Sequence, residues 1–354
     1  MLVESPPEPS ASPGPPIAAA ARPRGRGSLR TAGLLLSLGV LLLVCAASIA
    51  VGAKPLPLED VWHGVFHHSG TDTDILISQV RLPRTLLGLL AGLALGVSGA
   101  VMQALTRNPL AEPGLMGVNA GAAAAVVTAT SFLGVTSYRG HVWFAFAGAA
   151  VVSVLVYVLG GGRGATPVRL ALAGTAMTAA LYGYVNAVQL LDSAALDRLR
   201  FWTVGSLAGA GLDLVADVSW FVLAGAGLAV LIARPLNAME MGDDTARSLG
   251  AHLHRTRVLA MLAVTLLCGS VTAACGPIVF VGLMVPYLVR AITGPDVRWI
   301  LAYAAVLAPV LLLGSDVVGR VVARPAELQV GIVTAVIGGP VFIQLVRRKR
   351  MAKL

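Results

Sequence analysis

Long uncharged runs alternate with short polar segments along nearly the whole chain. Runs over 33–53, 85–106, 113–138, 142–162, 170–191, 218–233, 299–315 and 328–346 approach or reach the length a transmembrane helix needs. That length is about 20 residues, each adding about 1.5 Å of rise. One further run, Val258 to Val289, is too long for a single crossing. It contains Gly276-Pro277, a pair that breaks helices, so it divides into 258–275 and 277–289. The pattern predicts an all-α, polytopic membrane protein with ten transmembrane helices.

Residues 1–30 differ in kind. Pro, Ser and Ala dominate up to Ala21, followed by Arg22, Arg24, Arg26 and Arg30. Too few apolar side chains are present to offset ordering entropy, which predicts a disordered basic arm. Residues 31–354 then form one membrane domain. The run Gly33 to Ala53 exceeds a signal-peptide core, so it reads as an uncleaved first span.

Composition sharpens this picture. Apolar residues make up 56% and charged residues 12%, against about 25% charged in a soluble domain; mean hydropathy is +0.82. The solvent for most of the chain is therefore lipid. Net charge is +9, but the arginines sit between apolar runs rather than in one patch with aromatics, which argues against a nucleic-acid partner. With ten crossings both termini share a face. Placing them in the cytoplasm puts 18 Lys and Arg inside and 8 outside, the bias of the positive-inside rule. This predicts a multi-pass protein of the cytoplasmic membrane. Cys45, Cys268 and Cys275 lie in uncharged runs without C-x-x-C spacing and read as small buried residues. Gly and Ala recur through the spans, which reads as close helix packing.

Carboxylates are nearly absent from span interiors, which disfavours an ion-coupled carrier. Asp217 and Asp316 fall at outer span ends, and Asp316 has Arg320 four residues on, which reads as a surface ion pair. The glycine-rich segment Gly160 to Thr166 lacks the G-x-x-x-x-G-K-[ST] phosphate cradle. Energy for active transport would have to come from another protein. No paired nucleophile and base and no H-E-x-x-H constellation points to an enzyme. His252 and His254 are two apart and do not share a helix face, and His67-His68 lacks an evident third ligand, so no metal site is expected.

Three segments carry more specific information: R-L-P-R-T-L with S-G-A-V-M-Q-A-L-T-R-N-P-L-A-E-P-G-L-M-G-V-N-A-G-A between Arg81 and Ala122; G-P-I-V-F-V-G-L-M-V-P-Y-L-V-R from Gly276 to Arg290; and S-D-V-V-G-R-V-V-A-R-P-A-E-L-Q-V-G-I-V-T-A-V-I-G-G-P from Ser315 to Pro340. In order and spacing they resemble the FecCD family of ABC importer permeases, over about residues 33–350. One departure is Tyr287, where the family commonly has His.

The resemblance implies a type II ABC importer permease fold. The partners it implies are a second permease subunit, identical or paralogous, two cytoplasmic ATPase subunits and an extracytoplasmic substrate-binding protein. The chain itself would bind no cofactor or metal and catalyse no reaction, with ATP and Mg bound by the partner ATPase. It implies that Arg81, Arg84 and Arg320 meet acidic residues of the binding protein. The polar stretch Met239 to Arg257 would dock in the ATPase, with Gly242, Asp243, Asp244, Ala246, Arg247, Leu249 and Gly250 as coupling residues. From the residues alone, Asp243, Asp244 and Thr245 read as the capped start of a short helix that Gly250 ends. Thr175, Thr178, Tyr182, Tyr184 and Asn186 of the fifth span are candidate lining for the path. The expected cargo is an Fe(III)–siderophore; the alternatives are cobalamin or haem, or an ion-coupled secondary transporter acting alone.

Overall fold

The computed structural model describes residues 25–52 and 71–351. His67 and His68 and most of the basic arm lie outside the described residues. Helices account for nearly all of the described chain, and no strand occurs among the described residues.

In chain order the helices are α1 (Gly25–Ala50), α2 (Asp72–Thr106), α3 (Val118–Phe132), α4 (Tyr138–Leu159), α5 (Pro167–Leu191) and α6 (Ser193–Trp202). Then follow α7 (Leu212–Glu240), α8 (Asp243–Ser248), α9 (Leu253–Cys275), α10 (Val281–Thr293), α11 (Val297–Val322) and α12 (Val330–Met351). Six of them, α1, α2, α4, α7, α9 and α11, are long and apolar enough to cross a membrane; α3, α10 and most of α12 are shorter apolar helices. Every expected run overlaps a helix, with shifted ends. The run 113–138 is not one helix: a 3-10 turn at Pro113–Met116 precedes α3, and Tyr138 opens α4. Helix α1 starts at Gly25, inside the segment expected to be disordered. Helix α6 had no counterpart in the hydropathy pattern, because D-R-L-R makes it too polar to register as a span.

Helix α2 is the hub. It packs against α7, α9, α10 and α11, and 78% of its most apolar window is buried, as for α9, against 6% for peripheral α1. Its start is fixed by a capping box. The Thr71 hydroxyl accepts from the Asp74 N–H, and the Asp74 carboxylate accepts from the Thr71 N–H. Pro83 lies inside this rod, where a proline ring clashes with the carbonyl four residues back. A π-helical stretch, Leu76–Arg81, precedes it, and the Leu82 N–H reaches back five residues to the Ile77 carbonyl. The widened turn absorbs the mismatch.

Lipid supplies no hydrophobic force between helices, so close contact depends on small residues. Gly88, Gly92 and Gly96 recur every four residues and form one face of α2. A side chain on Gly92 would strike the Pro309 backbone of α11, and one on Gly96 would strike the Ala304 carbonyl. Gly99 abuts the backbone of Gly282 in α10.

Helices α9 and α10 are separated by a break over residues 276–280. Gly276 adopts φ +73° and Phe280 φ +68°. The break begins at Gly276, as the Gly-Pro pair predicts, but α10 starts at Val281 rather than at residue 277, and it carries Pro286 within it. Irregular backbone at membrane depth needs protein partners. Here the Cys275 carbonyl accepts from the Ser206 N–H at 2.7 Å, and the Phe280 N–H donates to Glu112 Oε1 at 3.2 Å.

Placing a side chain at the tightest seam should destabilise the bundle. Gly99→Leu is expected to cost about 1–3 kcal/mol through overpacking, read as a lowered melting temperature in detergent, whereas Gly227→Leu, which meets open space, should melt like the parent. Equal melting of the two variants would contradict the seam.

Candidate functional site

Charged side chains gather at the two ends of the bundle. At the end holding the start of α2 and the end of α11, Asp316 is fully buried and receives two arginines. Arg84 approaches side-on, Nη2 to Oδ1 at 2.8 Å and Nε to Oδ2 at 3.1 Å; Arg320 Nη2 reaches Oδ2 at 3.0 Å. Arg84 Nη1 also binds Glu327 at 2.7 Å. The expectation of a surface ion pair between Asp316 and Arg320 is therefore wrong, since their side chains are 0% and 3% exposed. Helical spacing put the two residues together but carried no information on what α2 lays over them.

Arg320, joined by Arg81 and Arg324, also terminates α1. A helix leaves its last carbonyls without partners, and cations there are favoured. Arg320 Nη1 donates to the Ser48 and Val51 carbonyls at 2.9 and 3.0 Å, and Arg81 Nη1 to those of Ile49 and Ala50 at 2.7 and 2.8 Å. Arg324 Nη2 donates to Gly52 at 2.7 Å. Ser48 Oγ links to Thr85 Oγ1 at 2.8 Å. Arg81, Arg84 and Arg320, expected to face a binding protein, thus point inward and are buried. Desolvated guanidinium groups need acceptors, and the end of α1 with Asp316 supplies them. Arg324 and Glu327 form the exposed rim of this cluster. Glu327 was missed by sequence reading, although it stands in the A-E-L-Q segment already singled out.

At the opposite end, α8 sits between α7 and α9. Its N-cap is Gly242 at φ +110°, a backbone angle that suits glycine, and no side chain caps it. The expected short helix is present, but none of Asp243, Asp244 and Thr245 caps it through a side chain. The Asp243 carboxylate instead clamps α8 to two elements, binding Arg107 after α2 and Arg257 Nη2 of α9 at 2.7 Å. Ala246 is buried beneath α8. Asp244, Arg247 and Leu249 face outward, Leu249 at 63% exposure, and Asp244 pairs with Arg247 at 2.7 Å. Gly250, at φ +80°, follows the helix. The partnership of Asp243 with Arg107 spans 136 positions, which no local pattern could reveal.

Nearby, Arg290 of α10 binds Glu240 of α7 at 2.7 Å. These two line a cavity of about 350 Å³ with Gln103, Arg107 and Tyr287, so Tyr287 faces the junction between the coupling segment and α2. Asp296 caps α11 and accepts from Asn237 Nδ2 at 2.9 Å. Burial opposes ionisation of Asp296, but the hydrogen bonds from Asn237 and Arg298 together with the Arg298 charge hold its carboxyl below the usual value.

The fifth-span candidates do not converge. Thr175 and Asn186 are exposed, and Thr178 and Tyr182 are half-buried. Thr175 Oγ1 donates to its own helix at Ala171, and Tyr184 Oη lies 2.8 Å from Thr128 Oγ1 of α3. Only Leu170, Gly174, Val185 and Val188 of α5 are buried, which leaves most of this helix open. A cavity of about 540 Å³ lies instead between α3, α4, α6 and α9, lined among others by Tyr138, His141, Trp202 and Gln329. His254 Nδ1 lies 3.0 Å from the Tyr157 hydroxyl. Glu112, overlooked because it precedes the third run, is a carboxylate held within the bundle against Phe280.

A helical bundle with six helices long and apolar enough to cross a membrane, and with charged clusters at its two ends, defines a polytopic membrane protein. The FecCD transport family model matches residues 40–348, and the chain belongs to that family. It is 46% identical over 319 residues to the ferric enterobactin transport system permease protein FepD of Escherichia coli, covering 90% of this chain and 94% of that one. It is 37% identical to the probable siderophore transport system permease protein YfiZ of Bacillus subtilis, covering 87% and 93%. Among solved structures, an inward-facing transporter assigned to the metal-chelate ABC type superposes with a TM-score of 0.79 at 26% identity, covering 91% of this chain and 99% of that one.

Two substitutions test the clusters. Asp316→Asn removes the buried charge that two guanidinium groups share and should cost about 3–5 kcal/mol, seen as a large fall in detergent melting temperature; an unchanged melt would refute the network. Asp243→Asn removes one carboxylate from two partly exposed arginines and should cost less, about 1–3 kcal/mol. Its signature is faster proteolysis of the 239–257 segment with the remainder of the bundle unaffected.

Proposed function

We propose that this chain is the permease subunit of a binding-protein-dependent ABC importer that moves an Fe(III)–siderophore across the cytoplasmic membrane. The observation that carries this reading is the 46% identity to FepD over nearly the full length of both chains. In this reading both termini are cytoplasmic. Two permease subunits, identical or paralogous, enclose the path, and the open face of α5 with Thr175 and Asn186 meets the partner copy or the path. Two separate ATPase subunits bind ATP and Mg.

Helix α8 suits the coupling role. Asp243 and Ala246 fix its inner side, so a push on Leu249 or Arg247 moves α2 and α9 as rigid bodies rather than flexing a loop. At the other end, Arg324 and Glu327 are available to an external binding protein. Arg81, Arg84 and Arg320 hold that rim in place and set its positive field, which steers docking more than it adds affinity.

The test is reconstitution in proteoliposomes with the ATPase and binding protein. ATP-dependent accumulation of a ferric siderophore, in preference to cobalamin or hemin, is expected. Accumulation by the lone chain on an ion gradient would overturn the importer, and a preference for cobalamin would overturn the cargo. Leu249→Asp should weaken ATPase co-purification on the order of 10-fold or more, the scale of an interface anchor, without altering the melting temperature of the permease.

A further inference from the structure

An apolar groove of about 630 Å³ runs between α7 and α11, with Leu93 and Val97 of α2 at its floor. Alanines recur along both walls, Ala226 and Ala229 on α7 and Ala302 and Ala305 on α11, with Val230, Leu231 and Leu301 beside them. Side chains that stop at Cβ leave space that Leu or Phe would have filled. The volume lies in the range of small-molecule sites, about 300–1,000 Å³. One end of the groove carries two cations, Arg234 and Arg298. Both are exposed. Arg298 Nε lies 3.3 Å from Asp296 Oδ1, and among the described residues Arg234 has no ion pair.

The depth of this rim is marked independently. Trp299 adjoins Arg298 in sequence, lies tilted against Tyr303 with ring centroids 6.4 Å apart, and lies under the Arg30 guanidinium at 5.9 Å. Trp and Tyr concentrate where the hydrocarbon meets the headgroups. Arg298 therefore sits at headgroup level, while the alanine walls run into the hydrocarbon.

We propose that this groove binds an anionic phospholipid, with one acyl chain between the alanine walls of α7 and α11 and its phosphate between Arg234 and Arg298. Basic pockets between membrane helices recognise such headgroups by charge. A second protein helix fits less well, because it would have to bring carboxylates to headgroup depth to match the arginines. Assignment to the cytoplasmic leaflet rests on the orientation proposed above.

The test uses the full chain assembled with its partner subunits, released from nanodiscs of phosphatidylglycerol or phosphatidylcholine with matched acyl chains, and native mass spectrometry of the retained lipid. Phosphatidylglycerol should be retained preferentially. Each arginine near the surface contributes roughly a 5-fold preference, so Arg234→Gln with Arg298→Gln should lower it about 25-fold. Arg234→Lys with Arg298→Lys should keep it, and Ala302→Phe should exclude both lipids alike. The proposal fails if the parent retains the two lipids equally, if the Gln variant keeps its preference, or if inorganic phosphate displaces the lipid. Efficient cross-linking of Ala226→Cys to a second copy would likewise overturn it by identifying a protein occupant. Retention is read without transport, so its failure and a failure of ATP-driven uptake are separate results.

Discussion

Everything in this fold follows from placing helices in a solvent that neither drives them together nor hydrogen-bonds to them. Hydrocarbon leaves van der Waals contact and internal polar pairing as the main cohesive terms. The glycine face of α2 meets the first requirement by bringing backbones into contact with α10 and α11. The Arg84–Asp316–Arg320 cluster meets the second, since each of its three charges has an opposite charge within hydrogen-bond reach. Buried ion pairs are poor sources of stability in themselves. Here the cluster ties α1, α2 and α11 in one fixed register.

The two charged ends share a logic despite different composition. At each, one carboxylate collects two arginines, one near in sequence and one distant: Asp316 takes Arg320 of its own helix and Arg84 of α2, Asp243 takes Arg257 of α9 and Arg107 from the turn after α2. Helix α2 contributes to both and spans the distance between them as one buried rod. The two clusters are therefore joined by one buried helix rather than by flexible loops.

How much of this was legible in the sequence depends on the range of the interaction concerned. Hydropathy is a local signal, and it located every long helix, including the break at Gly276, because lipid demands uninterrupted apolar runs. It failed where structure is irregular or polar. The 3-10 turn at Pro113 and helix α6 carry too few apolar residues or too short a span to register. Side-chain roles were less readable still. Arg81, Arg84 and Arg320 were singled out as a group, and they do form one cluster, but whether they face outward depends on how α1 lies across them. Glu112, Glu327 and Asp243 find partners 168, 243 and 136 positions away, separations at which periodicity says nothing.

Helix α1 illustrates a further point. Its C-terminal end is gripped through main-chain oxygens at Ser48, Ile49, Ala50, Val51 and Gly52, and near its other end the Tyr303 hydroxyl donates to the Arg30 carbonyl. Carbonyls are present whatever side chain the residue bears. Apart from Ser48, whose hydroxyl also bonds Thr85 and Arg320, and Gly33, which abuts the Tyr303 hydroxyl, the grip therefore makes little demand on the letters between its anchors. Over generations those positions are at liberty to drift among greasy residues, while the arginines and tyrosine that hold the helix are not.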